Sequence, residues 1–233
     1  MSPAFRRLSP VLAALGVFTC AAVAFSSVHY ADGPAASKTG APAIGSHPAE
    51  GLCTDCHMTD DGNGGFLPNL NLPGGQVRVL DLPQYYVPGR TYALRVELAS
   101  DSAASANVFI PRWGFQLTAV DAATGAGAGS FSVADTTVLH VKAAIHPQLA
   151  GRWYVEHGYF GLHEGELGPV EWSFDWTAPT EPMGTIHFYV AGNAANGSEE
   201  PSGDYIYTSS AAILDTTTGA RTVSWGALKS RRR

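Results

Sequence analysis

From Gln76 onward the chain alternates apolar and polar residues with a period of two, which commits it to half-buried β-strands. In 91–99 (TYALRVELA), Tyr92, Leu94, Val96 and Leu98 fall on one side and Ala93, Arg95 and Glu97 on the other. The stretch 113–121 sets Phe115, Leu117 and Ala119 against Gln116 and Thr118. In 170–176, Trp172, Phe174 and Trp176 oppose Glu171, Ser173 and Asp175, and in 185–192, Ile186, Phe188 and Val190 oppose His187 and Tyr189. Successive strand side chains point to opposite faces, so each stretch buries one face and wets the other. Shorter strands are expected at 76–81, 129–133, 137–142, 152–157 and 204–212, with Gly, Pro and Asn punctuation between them. About nine strands with short loops and no amphipathic helix predict an all-β, two-sheet antiparallel sandwich over 76–215. Trp153, Trp172 and Trp176 are expected in its core. Composition agrees: charged residues are only 15%, with 26 Gly and 15 Pro, the balance of a turn-rich β protein.

The amino end reads differently. Arg6 and Arg7 precede an apolar run, and Ala22 and Ala24 frame a cleavage site, so residues 1–24 are read as a signal peptide and the protein as periplasmic or extracellular. Membrane association is expected only if that segment stays uncleaved, since 8–28 is nearly long enough to span a bilayer. Cleavage removes two arginines and no acid, so the net charge falls from −6 to −8, with 12 basic against 20 acidic residues. Such an acidic chain excludes nucleic acid as a partner. Residues 25–50 are rich in Ala, Pro and Gly without a hydrophobic period and are expected to form a linker or extended arm. Residues 216–233, ending Arg231 to Arg233, are expected to form a solvated tail.

The segment 51–75 carries the chemistry. Cys20 leaves with the signal peptide, so the mature chain holds Cys53 and Cys56 alone. A disulfide across two residues closes almost no loop and stabilises little. CTDCH at 53–57 has instead the C-x-x-C-H spacing of a c-type haem attachment site. Thiols three residues apart reach the two vinyl groups of one porphyrin, and the following imidazole, His57, sits under the iron. One haem c is therefore expected, with Cys53 and Cys56 as thioether links and His57 as proximal axial ligand. A thioredoxin-like pair would call for a βαβ setting and zinc for a second close ligand pair, and neither is legible.

The opposite axial position is open on sequence grounds. His157 ends RWYVEH and precedes the glycine-rich HGYFGLHEGELG, which makes it the leading distal candidate, with His47 and His163 behind it. Met183 and the histidines at 140, 146 and 187 complete the choices, and Met58 directly follows His57 and cannot reach the other ring face. No Ser/His/Asp order, phosphate loop or EF-hand is present, although Asp60, Asp61 and Asn63 superficially suggest calcium.

Several phrases together resemble the bacterial Reeler-like domain, also called the choice-of-anchor V domain. They are TGAP (39–42), CTDCH (53–57), YVPGRTYALRVEL (86–98), WGFQLTAVD (113–121), GSFSV (129–133), WYVEH (153–157), WSFDWTAP (172–179) and FYVAGNAANGSEEPSGDYIYT (188–208). The resemblance implies a reelin-type, immunoglobulin-like β-sandwich behind an exported CxxCH segment, and it carries over Cys53, Cys56 and His57, with His157 matching the family's Tyr-x-x-His phrase. It supplies no reaction. The expected function is a monohaem cytochrome passing single electrons to redox partner proteins in the periplasm or outside the cell, and an electron carrier rather than an enzyme. The alternatives are a reelin-type adhesion or matrix module, in which self-assembly is possible, and a haem-based sensor or enzyme with an open axial site.

Overall fold

A computed structural model describes residues 31–104, 110–198 and 200–216. The expected signal peptide, and the expected tail beyond its first residue, lie outside the described residues. Every alternating stretch is a strand. In chain order the strands are β1 (Thr59–Asp60), β2 (Phe66–Leu67), β3 (Asn69–Leu70), β4 (Gly75–Leu80), β5 (Tyr85–Tyr86), β6 (Thr91–Ser100) and β7 (Arg112–Asp121). Then follow β8 (Ser130–Ser132), β9 (Leu139–Ala143), β10 (Trp153–His157), β11 (Val170–Thr177), β12 (Ile186–Ala195) and β13 (Tyr205–Asp215).

They form the two-sheet sandwich that the alternation predicts. The smaller sheet has the order β4-β6-β11-β8, and the larger β3-β13-β12-β7-β10-β9, with β5 also paired to β13. All long pairings are antiparallel, such as Val96 opposite Trp172 and Leu117 opposite Val190. The short strands β3 and β5 join β13 in parallel, which no local pattern announces.

The inward residues of β6, β7, β11 and β12 meet between the sheets. Leu94, Val96, Leu98, Trp113, Phe115, Leu117, Trp176, Phe188 and Val190 are all buried. Phe115 packs on Trp172 at 4.6 Å between ring centroids, and Trp176 meets Phe188 edge-on at 5.1 Å. Each such side chain contributes roughly 1.5–3 kcal/mol through burial, so this core carries the fold. Gly192 permits a close approach of the two sheets, since a Cβ there would stand 2.9 Å from Leu98 Cδ1.

Two expectations need correction. Trp153 shares the inward parity of Val155 yet is 45% exposed, at the end of β10 where the facing sheet closes with the three-residue β8. The polar side of β7 is not wet, for Gln116 and Thr118 are fully buried. The cause is the arm: residues 33–52 lie across the outer face of the larger sheet. Their adhesion is polar, which is why no hydrophobic period marks it. Lys38 N donates to Gln116 Oε1 (2.6 Å), and Gln116 Nε2 donates to Ala35 O (3.1 Å) and Glu156 Oε2 (2.6 Å).

Candidate functional site

The arm doubles back as a hairpin and delivers the CxxCH segment to the sheet. Thr39 bridges Leu52, Glu50 N donates to Ala41 O (2.8 Å), and Ile44 bridges His47 at the tip. Its anchor is Glu50, whose Oε1 accepts from Arg152 Nη1 (2.5 Å) and Tyr154 OH (2.7 Å) and whose Oε2 accepts from Thr39 Oγ1 (2.6 Å). The Glu50 and Arg152 side chains are wholly shielded from solvent. An ion pair survives such burial only when further hydrogen bonds satisfy it, and here three donors converge on one carboxylate.

From that anchor the chain passes through Leu52 into a 3-10 turn, Cys53–Asp55, closed by Asp55 N to Leu52 O (3.0 Å) and His57 N to Cys53 O (3.0 Å). The two-residue gap between the cysteines is therefore one tight turn, and both cysteines are free thiols. Cys56 is exposed. Burial pushes the Cys53 thiol up to about 12, although the residue as a whole keeps partial exposure. A thiol so held is protonated at neutral pH and is a poor redox nucleophile.

His57 is held by the sandwich. Its Nδ1 stands 2.7 Å from Asp204 Oδ2, and Asn193 Nδ2 lies 3.3 Å from both that nitrogen and that oxygen. Asp204 is almost fully buried, and its second oxygen accepts from Asn196 N (3.0 Å). Asn69 Nδ2 donates to Asp204 O (3.1 Å) and Thr59 Oγ1 (3.0 Å), and Gly203 N donates to the same hydroxyl (3.1 Å). A carboxylate oxygen only accepts, so the neutral ring carries its proton on Nδ1 and presents its lone pair at Nε2. Two free thiols on one turn and an imidazole whose Nε2 carries the lone pair, 3.5 Å from Asn193 Nδ2, are the donor types that thioether attachment and one axial bond require. The residues present fit one haem c.

The distal candidates are separated by the fold. His157 is 7% exposed, and its Nδ1 lies 3.0 Å from Phe115 N and 3.2 Å from Phe115 O. Its ring lies over Gly114, where an added Cβ would be 2.5 Å from Cε1. Gly114 is the cross-strand partner of Asn193, so His157 and His57 belong to one row of the larger sheet. His47 sits by the hairpin tip, where Gly45 and Ile44 pack on Thr124 and Gly125 just past the end of β7. The run from Gly114 to Asp121 spans about 23 Å at strand rise, which puts His47 at the other end of the sheet. His163 pairs with Glu166 (2.9 Å) and stands edge-on to Trp172 of the opposite sheet, at 5.1 Å. Met183 N donates to Tyr86 OH (2.9 Å), and His187 stacks on Tyr189.

Sequence reasoning named neither Asp204 nor Asn193 as site residues. Both lie in the phrases that carry the family resemblance, GNAANG (192–197) and SGD (202–204), and both converge on His57. Among the described residues no group of three or more His, Cys, Asp or Glu side chains is arranged to hold a metal ion. Asp61 folds back on its own loop, accepting from Asn63 N (2.8 Å) and Gly65 N (2.9 Å), as turn aspartates do.

No protein-family model matches the chain, and no curated protein matches its sequence. Among solved structures it is similar to the reelin-N domain of F-spondin, at 18% identity and a TM-score of 0.36, covering 60% of this chain and 85% of that one. It is similar to the human F-spondin reeler domain at 17% identity and a TM-score of 0.35, over 60% and 88% of the two chains. A bacterial hydrophobin, BslA, is similar at 11% identity and a TM-score of 0.32, over 62% and 96%.

Proposed function

We propose that this chain is an exported c-type cytochrome with one haem that transfers single electrons, and a member of the bacterial Reeler-like domain proteins. The observation that carries the reading is the contact between His57 Nδ1 and Asp204 Oδ2 at 2.7 Å, within a C-x-x-C-H turn whose thiols are both free. It supports an imidazole already committed, in tautomer and direction, to bonding through Nε2. Haem would supply a one-electron iron couple. Cys53 and Cys56 would fix it to the turn, His57 would hold the iron, and Glu50 with Arg152 would keep that turn against the sheet.

His157 shares the row of His57 and would serve as distal ligand through Nε2 in the tautomer whose Nδ1 donates to Phe115 O, 3.2 Å away. The amino-terminal signal supports a periplasmic or extracellular place and redox proteins there as partners. The test is the reduced-minus-oxidised absorption spectrum of the full chain produced with a haem maturation system. A sharp α band is expected, and its absence would reject the reading. Carbon monoxide binding to the reduced form would indicate an open axial site and shift the reading to a sensor or enzyme.

A further inference from the structure

We infer that Asp204 is the positioning residue for the proximal imidazole, with Asn193 as its companion, and that it lowers the reduction potential of the bound haem. The inference deepens the cytochrome reading and rests on it. Its ground is the placement of the groups. Asp204 lies in the loop between β12 and β13 and His57 lies in the amino-terminal segment, so 147 residues of chain separate two side chains that meet at 2.7 Å. The Asp204 side chain is 3% exposed and the His57 side chain 28%. The carboxylate is held at both oxygens, by Asn196 N at Oδ1 and by Asn193 Nδ2 3.3 Å from Oδ2, and the backbone oxygen of Asp204 accepts from Asn69. A carboxylate that accepts the Nδ1 proton makes Nε2 a stronger donor, favours the oxidised iron, and fixes the ring orientation. The sandwich thereby does more than shelter the attachment turn, because it contributes the group that governs the ligand's basicity.

The test compares the matured full chain with Asp204→Asn, which keeps the side-chain shape and an oxygen for Asn196 N. Asp175→Asn serves as control, since it removes the same formal charge from the exposed face of the opposite sheet. For Asp204→Asn the oxidised-to-reduced equilibrium is expected to move tenfold or more toward the reduced form, about 59 mV for one electron. Asp175→Asn is expected to stay within about twofold. A second measurement needs neither haem nor the Asp204 variant. In Cys53→Ser/Cys56→Ser protein, nitrogen NMR of His57 at about pH 8 should report a proton on Nδ1 and a lone pair on Nε2. An Asp204→Asn equilibrium unchanged within twofold, or a proton on Nε2 of His57 in the haem-free protein, would overturn the inference. Matured protein without haem would instead bring down the cytochrome reading, while the nitrogen measurement would still decide whether Asp204 directs the ring.

Discussion

Glu50→Ala should unfold the arm side of this protein more effectively than any single loss of a surface ion pair. In the native chain one shielded carboxylate receives Arg152 Nη1, Tyr154 OH and Thr39 Oγ1. Truncation leaves a guanidinium with no exposed surface and, among its described bonds, only Nε to Gly125 O (2.8 Å). Tyr154 OH and Thr39 Oγ1 keep weaker partners, Ser37 Oγ at 3.1 Å and Ala41 N at 3.3 Å. Stranding one member of a buried pair costs about 3–5 kcal/mol, which at roughly 2–4 °C per kcal/mol for a chain of this size lowers Tm by about 6–20 °C. The exposed Lys38–Asp55 pair gives the contrast, being worth about 0–1 kcal/mol. Urea and thermal unfolding of Glu50→Ala, Arg152→Met and the double variant Glu50→Ala/Arg152→Met form a double-mutant cycle. The double variant should recover much of the loss, because two apolar groups leave no unpaired buried charge. A Glu50→Ala loss below about 1 kcal/mol, or a double variant no more stable than Glu50→Ala, would refute the reasoning.

Gly114→Ala should cost about 1–3 kcal/mol by overpacking, since its Cβ would meet the His157 ring at 2.5 Å and that ring is buried; an unchanged urea midpoint would contradict the packing. Burial holds the Glu156 carboxyl above its ordinary 4.5, against the opposing pull of Lys142 and Gln116, so its ionisation works against the fold. Its contribution is therefore complete below 4.5 and is lost as pH rises through the higher folded value. Denaturation across that range should show the decline in wild type and a flatter profile in Glu156→Gln; a steeper decline in the variant would reverse the assignment. In haem-free protein at about pH 8, alkylation should reach exposed Cys56 at least tenfold faster than Cys53, whose thiol burial pushes up to about 12 and so keeps protonated. Equal rates would show that Cys53 is not held out of solvent.

The long strands were legible because one-sided burial writes itself into the sequence as alternation: β6 and β11 have their apolar residues inside as the pattern states. The pattern failed where a second layer covers the outer face. Gln116 and Thr118 look like wet residues and are buried: the arm's backbone and Glu156 satisfy Gln116, and Thr118 Oγ1 donates to Trp153 O of the neighbouring strand. The arm was unreadable for the same reason, since Glu50, Thr39 and Lys38 attach it through hydrogen bonds that leave no period. At the site the motif named Cys53, Cys56 and His57. Asp204 and Asn193 could not be derived from it, because their link to His57 spans most of the chain and depends on how the β12–β13 connection folds. His47 illustrates the converse, for it lies ten residues before His57 in sequence yet at the far end of the sheet.

The attachment itself is most directly tested by the intact mass of the full chain, purified under denaturing conditions after production with a haem maturation system, together with its pyridine haemochrome spectrum. The account predicts the mass of the processed polypeptide plus one haem, resistant to unfolding because thioether links hold it, and absent from Cys53→Ala/Cys56→Ala. A mass equal to the bare polypeptide, with no haemochrome band, would contradict it.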